Sequence, residues 1–231
     1  MMRIDKLLSN LKYGSRKDVE RMIKQKRVFV NGILCTSGKE KVDPRVDEIM
    51  LDQEIIFYEE SILLMMNKPA GYVSANHDDL HPTVFDFVKE PYNRFDLNIA
   101  GRLDIDTEGL LLLTNDGQLL HEIIHPKKNV YKEYYVEVSK SFDFACLLKP
   151  MEILDGNGAP YRPMRPIIKK IDERCFYLKI KEGKFHQIKR MVEHCGSEVV
   201  YLKRTKVGHL SLDEKMKPGE LMEVDIEQIK S

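Results

Sequence analysis

The chain reads as an α+β protein in two parts: a small basic α/β unit, then a longer segment built on a mostly antiparallel, mixed β-sheet. Three observations predict this. Residues 1–58 set two amphipathic helical stretches ahead of short paired strands. From Ile62 onward, short apolar runs alternate with Gly, Pro, Asn and Asp turns, with few helical stretches between them. Lys and Arg crowd the N-terminal end, although the whole chain balances at 37 Lys+Arg against 37 Asp+Glu.

In the first unit, Ile4, Leu7, Leu8 and Leu11 recur at the i, i+3, i+4, i+7 spacing of one helical face, so residues 3–11 are expected to form a helix that Gly14 ends. Ser15 is a good N-cap for a second helix, with Asp18 three residues on and Val19, Met22 and Ile23 facing inward. Residues 27–30 form a strand, Asn31-Gly32 a tight hairpin turn, and Ile33 starts the return strand. A second strand pair is expected at 48–51 and 55–58, and residues 59–61 form a polar linker. In the segment 62–231, strands are expected at 62–66, 71–74, 109–114, 134–138, 175–180 and 198–202. Helices are expected at 83–88, 117–124, 143–149 and 185–194.

Composition narrows the function. No apolar run reaches the roughly 20 residues that a membrane-spanning helix needs. The N-terminus enters a charged amphipathic pattern directly, without the apolar core of a signal peptide, so a cytoplasmic protein is expected. The four cysteines lie far apart with no Cys-x-x-Cys, which predicts separate thiols rather than a zinc ribbon or a disulfide framework. The seven histidines show no metal-ligand spacing. Residues 1–41 carry eleven Lys/Arg against four Asp/Glu, a surplus of seven that suggests a basic face on the small unit.

The most informative stretch runs from Ala100 to Gly117. It holds an Arg and three acids in a polar loop, then an apolar strand, then an Asn-Asp-Gly turn. Polar groups crowded against a core strand suit an active-site loop on a rigid scaffold, and equally a plain surface turn.

The N-terminal unit resembles the S4 RNA-binding domain through Arg3-Ile4-Asp5-Lys6-Leu7-Leu8, Ser15-Arg16 and Lys26-Arg27-Val28-Phe29-Val30-Asn31-Gly32. The resemblance implies that Arg3, Lys6, Arg16, Lys17, Lys26 and Arg27 face RNA phosphates, whose charge Lys and Arg neutralise with release of counterions. The second segment resembles the RsuA/RluB/RluE/RluF pseudouridine synthases. The matching pieces, in order, are Asn67-Lys68-Pro69-Ala70-Gly71, Gly101-Arg102-Leu103-Asp104 with Thr107-Glu108-Gly109-Leu110, Lys132-Glu133-Tyr134, and Glu182–Met191.

The family resemblance implies that Asp104 is the catalytic nucleophile, Lys189 its cationic partner with Arg190 in reserve, and Tyr134 the active-site tyrosine. Arg102 is expected to hold the flipped-out nucleotide, and His186, Gln187 and Arg190 to touch RNA. Asp106 is expected to be structural, accepting hydrogen bonds within its loop. The reaction breaks the N1–C1′ bond of a uridine and rejoins the uracil through C5, with no metal and no cofactor. Phe185-His186 and Lys189-Arg190 look closer to the small-subunit enzymes, which implies a uridine in 16S RNA, bound as ribosomal RNA or as a small-subunit assembly intermediate by a monomer. A 23S enzyme of the same family and a non-catalytic ribosome assembly factor are the competing readings. A metal-dependent nucleotide enzyme fits less well, because no third ligand follows Asp104-x-Asp106.

Overall fold

The structure is a computed structural model that describes residues 1–125 and 128–230. It divides into two compact units. One is Met1–Ile62 with Val88–Leu97; the other is Leu63–Phe87 with Asn98–Ser231. The division is therefore not a single cut near residue 60, because Val88–Leu97 groups with the N-terminal residues. Lys12 secures that segment, its Nζ donating to the Phe95 carbonyl at 3.0 Å and pairing with Asp96 at 3.0 Å. The Arg94 guanidinium lies 3.9 Å from the centre of the Tyr13 ring.

In the first unit, β1 (Met2–Arg3) leads into α1 (Ile4–Asn10) and α2 (Arg16–Lys24). They are followed by β2 (Val28–Val30), β3 (Ile33–Leu34), β4 (Lys41–Val42), β5 (Ile49–Leu51) and β6 (Glu54–Ile55). Strand β1 pairs with β4, and β3, β2, β5 and β6 form a four-stranded antiparallel sheet. The apolar face of α1 is buried at Ile4, Leu7 and Leu8. At about 1.5–3 kcal/mol per fully buried side chain, this stripe holds the helix in place far more than helix propensity does.

Helix α1 stops before the glycine expected to end it, because Lys12 already takes a left-handed conformation (φ 58°). Ser15 caps α2 as expected, its hydroxyl accepting from the Asp18 amide while the Asp18 carboxylate accepts from the Ser15 amide. Asn31 and Gly32 both have positive φ (51° and 76°), as a tight hairpin turn requires.

The second unit is built on a nine-stranded sheet. Its strands are β7 (Leu63–Lys68), β8 (Asn98–Ile99), β9 (Glu108–Thr114), β10 (Lys132–Val138), β13 (Ile167–Lys170), β14 (Cys175–Ile180), β15 (Val199–Val207), β16 (Leu210–Ser211) and β17 (Leu221–Glu223). The order is β13-β14-β10-β15-β9-β7-β17, with β16 on β15 and β8 on β9. Among the described residues of this sheet only the β15–β9 pairing is parallel, so the sheet is mixed and mostly antiparallel. A separate hairpin joins β11 (Ile153–Leu154) to β12 (Pro160–Tyr161). The described residues of the unit also form the α-helices α3 (Gly117–Ile124), α4 (Gln187–His194) and α5 (Glu227–Lys230).

Burial explains the sequence pattern. Strands β7 and β9 are covered on both faces, so Leu63–Met66 and Leu110–Leu113 read as unbroken apolar runs. Strands β10 and β14 are covered on one face, so buried and half-exposed residues alternate.

Several expected elements differ. Residues 71–74 form no strand beyond a bridge from Val73 to Thr83, because Gly71 turns the chain at φ 87° and the Ser74 side chain is engaged elsewhere. The segments expected as helices at 83–88 and 143–149 are short 3-10 turns, Val84–Phe87 and Phe144–Leu148. Helix α4 starts at Gln187 rather than 185, since His186 takes a left-handed conformation that no helix accommodates. The expectation of four separate thiols is also corrected. Cys146 and Cys195 are joined by a disulfide, whereas Cys35 and Cys175 are free. The two partners lie 49 residues apart in sequence, and folding brings the Phe144–Leu148 turn to the C-cap of α4.

Candidate active site

The loop between β8 and β9 is fixed by backbone anchors, and none of the groups that hold it is itself the candidate nucleophile. Ser74, buried at 3% exposure, binds Leu103 twice: its hydroxyl donates to the Leu103 carbonyl at 2.9 Å and accepts from the Leu103 amide at 3.2 Å. Lys68 is fully buried at the end of β7. Its ammonium donates to the carbonyls of Pro69 (3.0 Å), Asp104 (3.1 Å), Ile105 (3.3 Å) and Thr107 (2.8 Å). Burial pulls its pKa down to about 8, against the attraction of Asp106, Asp104 and Glu108. Arg204 on β15, also buried, donates from Nε to the Leu110 carbonyl at 2.6 Å and from Nη2 to the Gly101 carbonyl at 3.0 Å. A buried cation is tolerated only where its donors are satisfied, and the carbonyls of this loop satisfy both.

With the backbone held in this way, the Asp104 carboxylate projects into a small cavity of about 50 Å³ that is also lined by Arg102, Thr107, Tyr134, His186 and Lys189. Lys189 Nζ lies 3.6 Å from Asp104 Oδ2, and His186 Nε2 lies 3.7 Å from Asp104 Oδ1. The shorter contacts of Lys189 go to Asp106, at 2.6 and 2.7 Å from its two carboxylate oxygens. Asp106 is therefore tied to helix α4 rather than bonded only within its own loop. Burial pushes its carboxyl up, but the hydrogen bonds and charge of Lys189 outweigh burial and hold it below the ordinary carboxylate value. One lysine thus serves two acids.

Tyr134 sits on the buried side of β10 with 7% exposure. The β10–β15 register shifts between Glu133 and Tyr134, which sets Tyr134 opposite Arg204. A bulge of this kind re-aims a side chain beside a site. A larger cavity of about 770 Å³ lies elsewhere in the same unit, lined in part by Leu119, Ile123, Tyr131 and Ile229. None of Asp104, Tyr134 and Lys189 lines it, so side-chain chemistry rather than volume marks the site.

The sequence expectations divide on this geometry. Asp104, Arg102, Tyr134, His186 and Lys189 converge on one cavity. Gln187 lines the same cavity. It is buried at 3% exposure, accepts from the Lys184 amide at 3.1 Å and donates to Glu182 at 3.2 Å, so it braces the turn ahead of α4. Arg190 turns away from Asp104, donating to the Leu154 carbonyl and lying 5.2 Å from the Phe185 ring centre.

In the first unit, Lys6, Arg16, Lys17 and Lys26 are exposed and carry no ion pair among the described residues. Arg3 and Arg27 are engaged. Arg3 clasps the buried Asp5 through two hydrogen bonds, and Arg27 clasps Asp52 in the same way. A phosphate would compete with those carboxylates.

Reading the sequence missed Ser74 and Arg204 altogether and gave Lys68 no task. The one available signal was periodicity: Leu202 and Arg204 share the inward side of β15, and an arginine in an inward position needs buried acceptors.

Comparison with known proteins agrees with this architecture. A family model described as RNA pseudouridylate synthase matches residues 62–194, and one described as S4 domain matches residues 2–48. An uncharacterised RNA pseudouridine synthase of Bacillus subtilis is 44% identical over 232 residues, covering 99% of this chain and 97% of its own. Ribosomal small subunit pseudouridine synthase A of Haemophilus influenzae is 36% identical over 236 residues, covering 99% of each chain. A crystal structure of a pseudouridylate synthase matches with a TM-score of 0.67 at 34% identity, covering 100% of this chain and 99% of that one.

Fold and site together define an RNA-modifying enzyme with an S4 domain at its N-terminus. The chain belongs to the RNA pseudouridine synthase family and is an isomerase that converts uridine in RNA to pseudouridine.

Proposed function

We propose that the protein isomerises one uridine of 16S ribosomal RNA, with Asp104 as the nucleophile. The observation that carries the reading is the placement of the Asp104 carboxylate, 3.6 Å from Lys189 and in one cavity with the buried Tyr134. A carboxylate in a partly dry cavity stays ionised when a cation faces it. It can then attack the nucleotide, at C1′ or at C6, as the N1–C1′ bond breaks. The freed uracil turns and joins C1′ through C5. The C5 proton leaves and N1 ends protonated, so the reaction balances without oxidant or cofactor. Tyr134 stacks on the uracil, and its hydroxyl assists removal of the C5 proton. Arg102, exposed at the mouth of the cavity, holds the flipped-out nucleotide.

The 16S target is supported by the relatives named ribosomal small subunit pseudouridine synthase A, which are 34–36% identical over nearly the whole chain. On this reading the exposed Lys6, Arg16, Lys17 and Lys26 of the S4 domain grip RNA phosphates. The protein works as a monomer in the cytoplasm, on ribosomal RNA or a small-subunit assembly intermediate. Incubation of the purified protein with unmodified 16S and 23S transcripts, followed by pseudouridine mapping, tests the target. One new pseudouridine in 16S and none in 23S is expected; modification of 23S alone would overturn the 16S assignment.

A further inference from the structure

Phe185 is a large apolar side chain left 53% exposed beside the active-site cavity. Its ring is stacked on that of His186, with centres 3.8 Å apart and planes within 18°. His186, itself 38% exposed, lines the cavity and holds a positive φ of 53°, uncommon for a non-glycine residue. Arg190 lies 5.2 Å from the Phe185 ring centre and is anchored to the Leu154 carbonyl of the β11–β12 hairpin. Gly156 of the same hairpin packs so closely that a Cβ there would sit 3.1 Å from Phe185 Cβ. Lys184 adds a further cation, 5.6 Å from the Tyr161 ring centre.

We propose that the Phe185–His186 stack is a base-stacking subsite that takes the unpaired nucleotide next to the flipped-out uridine, while Arg190 and Lys184 attract its phosphates. The inference rests on the pseudouridine synthase reading above and adds to it a contact outside the reacting base. Three features favour an RNA base as the occupant. An aromatic face interleaved with cations matches the two things a nucleotide offers, a flat π-surface and a negative backbone. The stack adjoins the cavity that receives the target uridine, where a neighbouring nucleotide must lie. The platform is also held ready on one side by the hairpin, and the left-handed His186 sets its ring on Phe185, strain of a kind that gathers at ligand sites.

The experiment uses the full-length protein and an RNA fragment spanning the modified uridine, made intact or with an abasic residue on either its 5′ or 3′ side. Phe185→Leu keeps the apolar volume and removes the π-face; Phe185→Trp restores it. On intact RNA, Phe185→Leu is expected to raise KM about tenfold, the scale of one lost base–aromatic stack, with kcat changed far less. Phe185→Trp is expected to recover most of the loss, which also separates stacking from misfolding. On the RNA lacking the stacked neighbour, wild type and Phe185→Leu should become equivalent. Equal KM values on intact RNA, or a Phe185→Leu defect that persists with both abasic substrates, would overturn the subsite. Failure of the wild-type protein to modify any RNA would instead overturn the parent reading, so the two failures are distinguishable.

Discussion

At the scale of single residues, the site is one cation shared between two acids. Asp106 takes the short contacts of Lys189 and Asp104 the longer one. This leaves the oxygens of Asp104 less tightly bound than those of Asp106. Lys189→Met removes the charge that faces both carboxylates. The affinity of Asp106 for protons then rises, because the cation that holds its carboxyl down is gone. The kcat at neutral pH is expected to fall roughly 10²-fold. A wild-type kcat would show that Lys189 does not support the reaction. Asp104, Tyr134 and Lys189 were legible in the sequence because their neighbours form motifs. The bracing of the turn by the buried Gln187 was not legible, since a motif does not tell which of its members turn inward. Lys68 and Arg204 were not legible as loop anchors, because their acceptors are carbonyls of residues distant in the chain.

At the scale of elements, the crossing of β9 and β15 is the point where the sheet positions the site. The two strands meet in parallel at Lys203↔Glu108 and Arg204↔Gly109. Gly109 sits at φ 100°, and a Cβ there would lie 2.3 Å from the Arg204 carbonyl oxygen and 2.9 Å from its amide nitrogen. Both atoms are backbone and cannot swing aside. Gly109→Ala is expected to destabilise the protein by about 3 kcal/mol and to displace Arg204 from Gly101, lowering activity as well. Urea denaturation with a parallel activity assay checks this; wild-type stability in both would contradict it. Strands β7, β9, β10 and β14 were legible, as apolar runs where both faces are covered and as alternation where one is. The 3-10 turns at Val84–Phe87 and Phe144–Leu148 were read as full helices because a one-turn apolar pattern does not reveal whether a second turn follows.

At the scale of the whole molecule, buried charge sets how stability responds to pH. Burial lowers the pKa of Lys68 and of Lys132 from 10.5 to about 8, with Arg204 adding to the effect at Lys132. The folded protein therefore releases these protons more readily than the unfolded chain. Their contribution is fully present above pH 10.5 and is lost as pH falls through about 8. Wild-type stability is expected to rise relative to that of Lys132→Met between pH 7.5 and 9.5 in urea titrations; parallel curves would contradict it. Neither the Cys146–Cys195 bond nor the grouping of Val88–Leu97 with the N-terminal residues was legible, since each joins segments with no shared local pattern. The central claim is that Asp104 performs the reaction on small-subunit RNA. Site-by-site pseudouridine mapping of 16S and 23S RNA, in cells lacking this protein and complemented with wild type or Asp104→Asn, tests it most directly. The account predicts that one 16S pseudouridine disappears and that only wild type restores it. Restoration by Asp104→Asn, or no change at any site in 16S, would contradict it.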